Sequence, residues 1–474
     1  MTASVVLALV FCLLALLFVA YWAVQFALVR HAAYAHAVFA KPLVPNPKDV
    51  EARVHAVGRA LTTAQEANRE LDDRLAAIGL ASSNLTCAAV PQGRYDDLLH
   101  RDQGGVLIAL NLWNNEDVLP TLSRALIALA LTLGPPRVSV SVFENGSSDK
   151  TPLAMAHLAA VLTSLGVSHA IRSDAQESDW SRVDRIAQLA VYRNVALEPL
   201  ADLPNASTVL FVNDVYMCPN DALELLHQRK SQDAHAACGL DWRRTQSILD
   251  AVGVRSVKFY DNCTFSPHTG TLHQTLADVF VPVAREGVSR SIQGSMFRPR
   301  LDILSEQRDG VRELFDDPSD VDAWSRERFR AGLPLPVYSC WNGMVAFDAR
   351  PFQSALSLPD APVASGQGDG PLRFRSAFNT DECAASECKI LARDFWARGF
   401  NRWVLVPRVH VTYTSDIYDF ASLAALSARA ADATQDDERI DWDEVHAPES
   451  VVCYPWERGF HVDLPYRRVR EPPW

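Results

Sequence analysis

No block of basic residues interrupts the 474-residue chain, and acidic side chains outnumber basic ones 57 to 45, for a net charge of −12. A chain so charged has no patch to track a phosphate backbone, which excludes nucleic acid as a partner. No internal repeat is visible. The N-terminus lacks the basic start and the short apolar core, about 7–15 residues, of a cleaved signal peptide. In their place runs Val5 to Val29, apolar apart from Gln25 and the milder Tyr21 and Trp22. At 1.5 Å per residue it reaches roughly 37 Å, enough to cross a ~30 Å hydrocarbon core with some tilt, and it reads as an uncleaved signal anchor. Arg30, His31, Lys41 and Lys48 follow the span, and charge bias alone would leave them in the cytosol. Two features favour the lumen of the secretory pathway instead. Sequons stand at Asn84, Asn145, Asn205 and Asn262, and eight of the nine cysteines lie beyond the span.

Lys41-Pro-Leu-Val-Pro-Asn-Pro47 cannot continue a helix, and from Asp49 to Leu80 the composition is that of a polar-faced helix, read as a spacer. The spacing predicts residues 1–30 as cytosolic end and anchor, 31–100 as stem, 101–440 as the main domain and 441–474 as a tail. Within the domain, strands begin at Gly105, Arg137, Ser168 and Thr208, alternating with helices from Leu119 to Leu133, Thr151 to Leu165 and Val183 to Leu200. That alternation means βαβ units and a largely parallel sheet, an α/β fold. Past residue 240 the pattern loosens.

The most informative stretch is Thr208-Val-Leu-Phe-Val-Asn-Asp-Val-Tyr216. A continuously apolar, β-branched run reads as a strand buried on both faces, and ligands of open α/β sheets bind at the carboxyl ends of such strands. Asp214 there either holds a metal that in turn holds a diphosphate, or caps the turn and helix that follow. Glu144-Asn-Gly-Ser-Ser-Asp149 also follows a strand; Glu144 and Asp149 suit a base or ribose, and Asp149 equally caps the next helix. Arg185 and Arg193, eight residues apart on one helix face, suit a diphosphate or a salt-bridged surface. Cys383 and Cys388 are awkwardly spaced for a mutual bridge, so at least one is expected to pair with a distant cysteine such as Cys340 or Cys263.

Phe143-Glu-Asn-Gly-Ser-Ser-Asp149, Arg185…Arg193-Asn-Val-Ala-Leu-Glu-Pro-Leu200 and Leu210-Phe-Val-Asn-Asp-Val215 together resemble fungal glycosyltransferase family 69. Pro336-Val-Tyr-Ser-Cys-Trp-Asn-Gly-Met344, Asp381-Glu-Cys…Ser386-Glu-Cys388 and Pro407-Arg-Val-His-Val-Thr-Tyr413 fit the same family. It contains α-1,3-mannosyltransferases and capsule-associated proteins. The resemblance implies a type II Golgi membrane enzyme with a glycosyltransferase-A-like nucleotide-sugar fold. It implies GDP-mannose as donor, a mannose-containing glycan as acceptor, α-1,3 linkage with retention, Mn²⁺ or Mg²⁺ as cofactor, and a complex with other glycosyltransferases. Asn213-Asp214-Val215 then stands where related folds carry an Asp-X-Asp metal motif, with one carboxylate missing. His410 is the candidate to complete the metal site, against the alternative of an edge-strand histidine. Asn213, Glu144, Asp149, Arg185 and Arg193 are the nucleotide-sugar candidates. Trp341 and Asn342 are the acceptor candidates, unless the ring belongs to the core. Glu382 and Glu387, with Asp381 behind them, are candidates for the carboxylate near the anomeric carbon, although acidic residues at a helix start are favourable for dipole reasons alone. The alternative function is a non-catalytic luminal factor of the same fold that supports polysaccharide or glycoprotein synthesis or export.

Overall fold

The computed structural model describes residues 64–174, 184–245, 331–353, 370–377, 386–418 and 439–445, less 84, 91–92 and 100–103. Short pieces at 256–259, 266–267, 300–302, 311–312, 324, 328, 382, 451–453 and 467–469 are described as well. The expected anchor lies outside these residues, and among the described residues no helix is long and apolar enough to cross a membrane.

The elements used below are α1 (Ala64–Ala77), β1 (Gly105–Leu112), α2 (Leu119–Leu133), β2 (Val138–Glu144), α3 (Thr151–Ser164) and β3 (Ser168–Ser173). They continue with α4 (Arg185–Leu197), β4 (Ala206–Val212), α5 (Pro219–Ser231), β5 (Ala236–Thr245), β6 (Leu335–Ser339), β7 (Met344–Asp348), α6 (Glu387–Ala397) and β8 (Trp403–Thr412). Helix starts follow local chemistry. Prolines open α2, α3 and α5, where the missing N–H costs nothing, and the Asp184 carboxylate caps α4 by accepting from the Ala187 N–H at 2.7 Å. Gly134, at φ 96°, ends α2 before Pro135 and Pro136.

The strands form one sheet in the order β3-β2-β1-β4-β7-β5-β8-β6. β1 pairs in parallel with β2 and β4, β2 with β3, and β5 with β8. β7 is antiparallel to both its neighbours, β4 and β5, and β6 is antiparallel to β8. β1 to β5 and β8 therefore run one way and only β7 and β6 run back, so the sheet is mixed but largely parallel, as the sequence predicts. Short strands at Ser256–Phe259 and Ser266–Pro267 extend it from β5 and β6.

Alternation along each strand splits the core between the two faces. Val106, Ile108 and Leu110 join Leu210 and Val212 beneath α2, α3 and α5, whereas Leu107, Ala109, Val209 and Phe211 face α4 and α6. The parallel half places the carboxyl ends of β1, β2 and β4 side by side.

The expected stem does not stay apart from this domain. Ala67, Leu71 and Leu75 of α1 are buried in the first of these clusters, with α2 and α3 beneath them. Arg124 pairs with Asp72, Arg94 reaches Glu224 at 2.7 Å, and a Cys87–Cys218 disulfide closes a 131-residue separation. Burying a leucine is worth about 1.5–3 kcal/mol, so the apolar stripe of α1 suffices to dock it. α1, Cys87 and Arg94 thus pack on the domain, ahead of the boundary expected at 101. Of the cysteine expectation, Cys340 bonds to Cys238 and so is not the distant partner, and Cys388 is buried and forms no disulfide; Cys383 and Cys263 lie outside the described residues.

Candidate active site

The carboxyl end of β4 brings Asn213 and Asp214 to the edge shared by β1 and β2. Asp214 is half-buried, and burial raises its carboxyl above the usual value. Its own backbone N–H, the Asn115 amide, donating Nδ2–H to Oδ2 at 3.0 Å, and the more distant Arg193 charge pull it partly back. Asn213 is anchored through its N–H to the Gly343 carbonyl at 2.9 Å. Gly343 itself has φ 74°, and a Cβ there would meet Val411 at 2.8 Å and Val215 at 3.1 Å. Only glycine lets the turn between β6 and β7 pass so close.

Arg193, Asn213, Trp341 and Glu387, distant in sequence, converge. The Asn213 Oδ1 accepts from Trp341 Nε1 at 3.1 Å and from Arg193 at 3.4 Å, while its Nδ2 donates to the Tyr413 hydroxyl at 3.5 Å. That hydroxyl lies 3.4 Å from buried Asp241. Arg193 Nε donates to Glu387 at 2.8 Å, and its guanidinium carbon sits 4.1 Å from the Trp341 ring centre with Phe211 and Phe374 beside it. An aromatic-walled ion pair of this kind is already charge-balanced and points inward. Three expectations are corrected here. Trp341 is 1% exposed, so its ring packs Phe211, Phe347 and Phe374 and is not open to a sugar. Asn342 is fully buried at φ 55° and donates to the Gly239 carbonyl at 2.7 Å, which makes it a turn residue of the core. Glu387 serves Arg193, and Glu382 lies between Arg375 and Arg393, so neither carboxylate points to open space.

The β1 and β2 loops are laced to each other. Asp149 accepts from Glu116 N–H at 3.0 Å and Thr151 N–H at 2.8 Å, Glu116 accepts from Lys150 N–H at 2.9 Å, and Ser147 accepts from Asn114 N–H at 2.8 Å. Glu144 accepts from Ser147 N–H and the Ser173 hydroxyl. Both oxygens of Asp149 therefore tie the β1 loop to the start of α3, and those of Glu144 tie its own loop to the end of β3. Arg185 is exposed in the first turn of α4, two turns from Arg193, and does not join the cluster.

His410 lies elsewhere. Tyr216 and Thr412 form an antiparallel bridge, so stepping back two residues leads to Asp214 on one strand and, in the opposite direction, to His410 on the other. The His410 ring packs on Tyr418 with centres 5.1 Å apart, and the Tyr418 hydroxyl donates to Asp221. Burial holds this imidazole down to about 4. The unfolded chain takes up a proton near pH 6.5 that the folded state refuses until about pH 4, so the contribution of His410 to stability is full above pH 6.5 and lost as pH falls through that window. His410→Gln is expected to show a shallower fall in unfolding midpoint between pH 6.5 and 4 than the parent. Parallel curves for the two proteins would contradict this burial effect.

Among the described residues no group of three or more His, Cys, Asp or Glu converges as a metal cage. Asp214 nevertheless suits a hard divalent cation, because such ions take oxygen donors and are commonly held by one or two carboxylates together with substrate phosphates. Asn115, Tyr413 and Asp241 escaped sequence reasoning. The polar run Asn114-Asn-Glu-Asp117 directly after a strand was the signal for Asn115; nothing local marks Asp241.

The family model described as Cryptococcal mannosyltransferase 1 matches residues 105–394. The α-1,3-mannosyltransferase CMT1 of Cryptococcus neoformans is 28% identical over 432 residues, covering 87% of this chain and 80% of the relative. Among solved structures, a mannosyltransferase from Pyrobaculum calidifontis in complex with GDP-Man and Mn²⁺ aligns at 11% identity and TM-score 0.30, covering 81% of this chain and 72% of that one. Staphylococcus aureus TarS (residues 1–349) aligns at 10% identity and TM-score 0.33, over 69% and 70%. The fold is given by the strand order itself. The family match spans most of the chain, from β1 into α6, and takes in Asp214 and the Arg193 cluster: the chain belongs to the Cryptococcal mannosyltransferase 1 family.

Proposed function

We propose that the protein transfers mannose from GDP-mannose to a mannose-containing glycan, forming an α-1,3 linkage with retention. Family membership supports mannosyl transfer, and the observation that carries the site is Asp214, a half-buried carboxylate at the carboxyl end of β4 fixed by Asn115. On this reading Asp214 holds Mn²⁺ or Mg²⁺, whose charge offsets that of the departing diphosphate. The donor is α-linked, so an α-1,3 product requires retention. Because Glu382 and Glu387 are both engaged by arginines, the reading favours an ion pair assisted by the leaving diphosphate over a protein nucleophile. The test is mannosyl transfer by the full chain, with Asp214→Asn as the comparison.

The proposed setting is the Golgi lumen, behind a type II membrane anchor and beside other glycosyltransferases. Two disulfides and an exposed sequon asparagine, Asn205, support it. Expression in a eukaryotic secretory host is expected to place an endoglycosidase-sensitive glycan on Asn205. Asn145, buried and accepting from Asn111 at 3.0 Å, is expected to carry none. Glycopeptide mapping decides, and an unmodified Asn205 would count against the luminal orientation.

A further inference from the structure

We infer that Asn115 is a positioning residue for Asp214: it holds Oδ2 of the carboxylate, so that Oδ1 is the oxygen presented to a bound ligand. The inference rests on the reading of Asp214 given above and adds a residue to which no role has been assigned.

Every polar group of Asn115 is engaged. Its N–H donates to Thr151 Oγ1 at 2.7 Å, and its carbonyl accepts from Val118 N–H at 3.1 Å and Leu119 N–H at 3.2 Å, at the start of α2. Its side-chain Oδ1 accepts from Trp113 N–H at 2.6 Å. That last bond settles which way the amide faces: the oxygen must meet the Trp113 N–H, so the NH₂ must face Asp214, 3.0 Å away. A flipped amide would set a donor against a donor and an acceptor against a carboxylate. Asn115 is also buried, so its rotamer is fixed by packing as well. The consequence is mechanical. Asp214 follows the end of β4, Asn115 lies on the loop after β1 and Thr151 at the start of α3, so one residue, through its side-chain amide and its backbone N–H, ties the ends of β1 and β4 to the start of α3. Without this bond the Asp214 carboxylate keeps only its own backbone N–H as a partner and is freer to turn about its last torsion.

Asn111 is an internal control. Its Nδ2 donates to the Phe143 carbonyl and to Asn145 Oδ1, both at 3.0 Å, so it ties the end of β1 to the end of β2 near the same site without touching Asp214.

The experiment uses the full chain in detergent, as wild type, Asn115→Ala, Asn115→Ser, Asn111→Ala and Asp214→Asn. Calorimetry gives the Mn²⁺ affinity at saturating GDP, and thermal unfolding without ligand gives Tm. Loss of an orienting partner of a metal ligand commonly costs 10–100-fold in affinity, so Asn115→Ala is expected to weaken Mn²⁺ binding about tenfold or more. Asn115→Ser, a smaller disturbance that is too short to reach Asp214, is expected to do the same. Asn111→Ala is expected to lower Tm by about as much as Asn115→Ala, with Mn²⁺ affinity unchanged, and Asp214→Asn to lose Mn²⁺ binding. If Asp214→Asn loses binding while both Asn115 variants bind as wild type does, the positioning role is wrong and the Asp214 reading survives. If Asn111→Ala weakens binding as much as Asn115→Ala, the effect is general loosening of the loops and the inference is overturned. Unchanged binding in Asp214→Asn removes the Asp214 reading and this inference with it.

Discussion

Arg375→Met is expected to destabilise the fold by about 3–5 kcal/mol, because it leaves buried carboxylates short of a counter-charge. Arg375 reaches Asp394 at 2.7 and 2.8 Å and Glu382 at 2.8 and 2.9 Å, and Arg393 adds contacts of 2.8 Å to Glu382 and 3.4 Å to Asp394. Two guanidiniums therefore balance two carboxylates, all four buried. Burial alone would pull the Arg375 guanidinium down, but its hydrogen bonds to Glu382 and Asp394 outweigh that and hold it above its ordinary value, so it stays charged. Methionine fills much of the volume and supplies none of the charge. Urea unfolding followed by circular dichroism measures the loss, and a change under about 1 kcal/mol would mean that water or a neighbouring group compensates. Adding Glu382→Gln to Arg375→Met removes the excess negative charge, and the double variant is expected to regain part of the lost stability. The network matters to the site because Asp394 and Arg393 lie on α6, the helix whose first residue, Glu387, holds Arg193.

Asp214→Asn is expected to lower transfer about a hundredfold or more while leaving the fold nearly unchanged. Losing one anionic ligand to a cation that stabilises a departing diphosphate removes a few kcal/mol from the transition state. Folding loses little, because an amide oxygen at position 214 can still accept from Asn115. Burial already disfavours the Asp214 charge, so the neutral variant is expected to match or slightly exceed the parent in Tm. Steady-state turnover and thermal unfolding on the same preparations separate the two effects. Turnover within twofold of wild type would show that the end of β4 is structural.

The first half of this architecture was legible because its signals are local. Apolar runs bounded by turn residues marked β1 to β4, and α2 starts and ends at Leu119 and Leu133 as the pattern predicts. The strands of the second half were missed for identifiable reasons. β8 contains Pro407, which cannot donate to a ladder, and its pairing with β5 shifts register between Leu405 and His410. β6 and β7 are five residues each and are joined by only four, yet β5 and β8 stand between them in the sheet. The site divides in the same way. The place of Asp214 at the carboxyl end of β4 was readable from an apolar run followed by a carboxylate. The roles of Arg193, Glu387 and Trp341 were not, because nothing in a linear sequence says that a guanidinium will be stacked on one distant residue and neutralised by another. Sequence chemistry assigned each of the three a separate ligand role, and in the fold Arg193 pairs with Glu387 and stacks on Trp341.

Transfer itself is the most direct test. The full chain in detergent is incubated with GDP-mannose, Mn²⁺ and an α-mannoside acceptor, and the product is isolated for linkage analysis by nuclear magnetic resonance. The account predicts a new mannose in α-1,3 linkage, GDP released in equal amount, and the loss of both in Asp214→Asn. A wild-type protein that binds GDP with Mn²⁺ yet transfers no mannose, or one whose product is unaffected by Asp214→Asn, would contradict it.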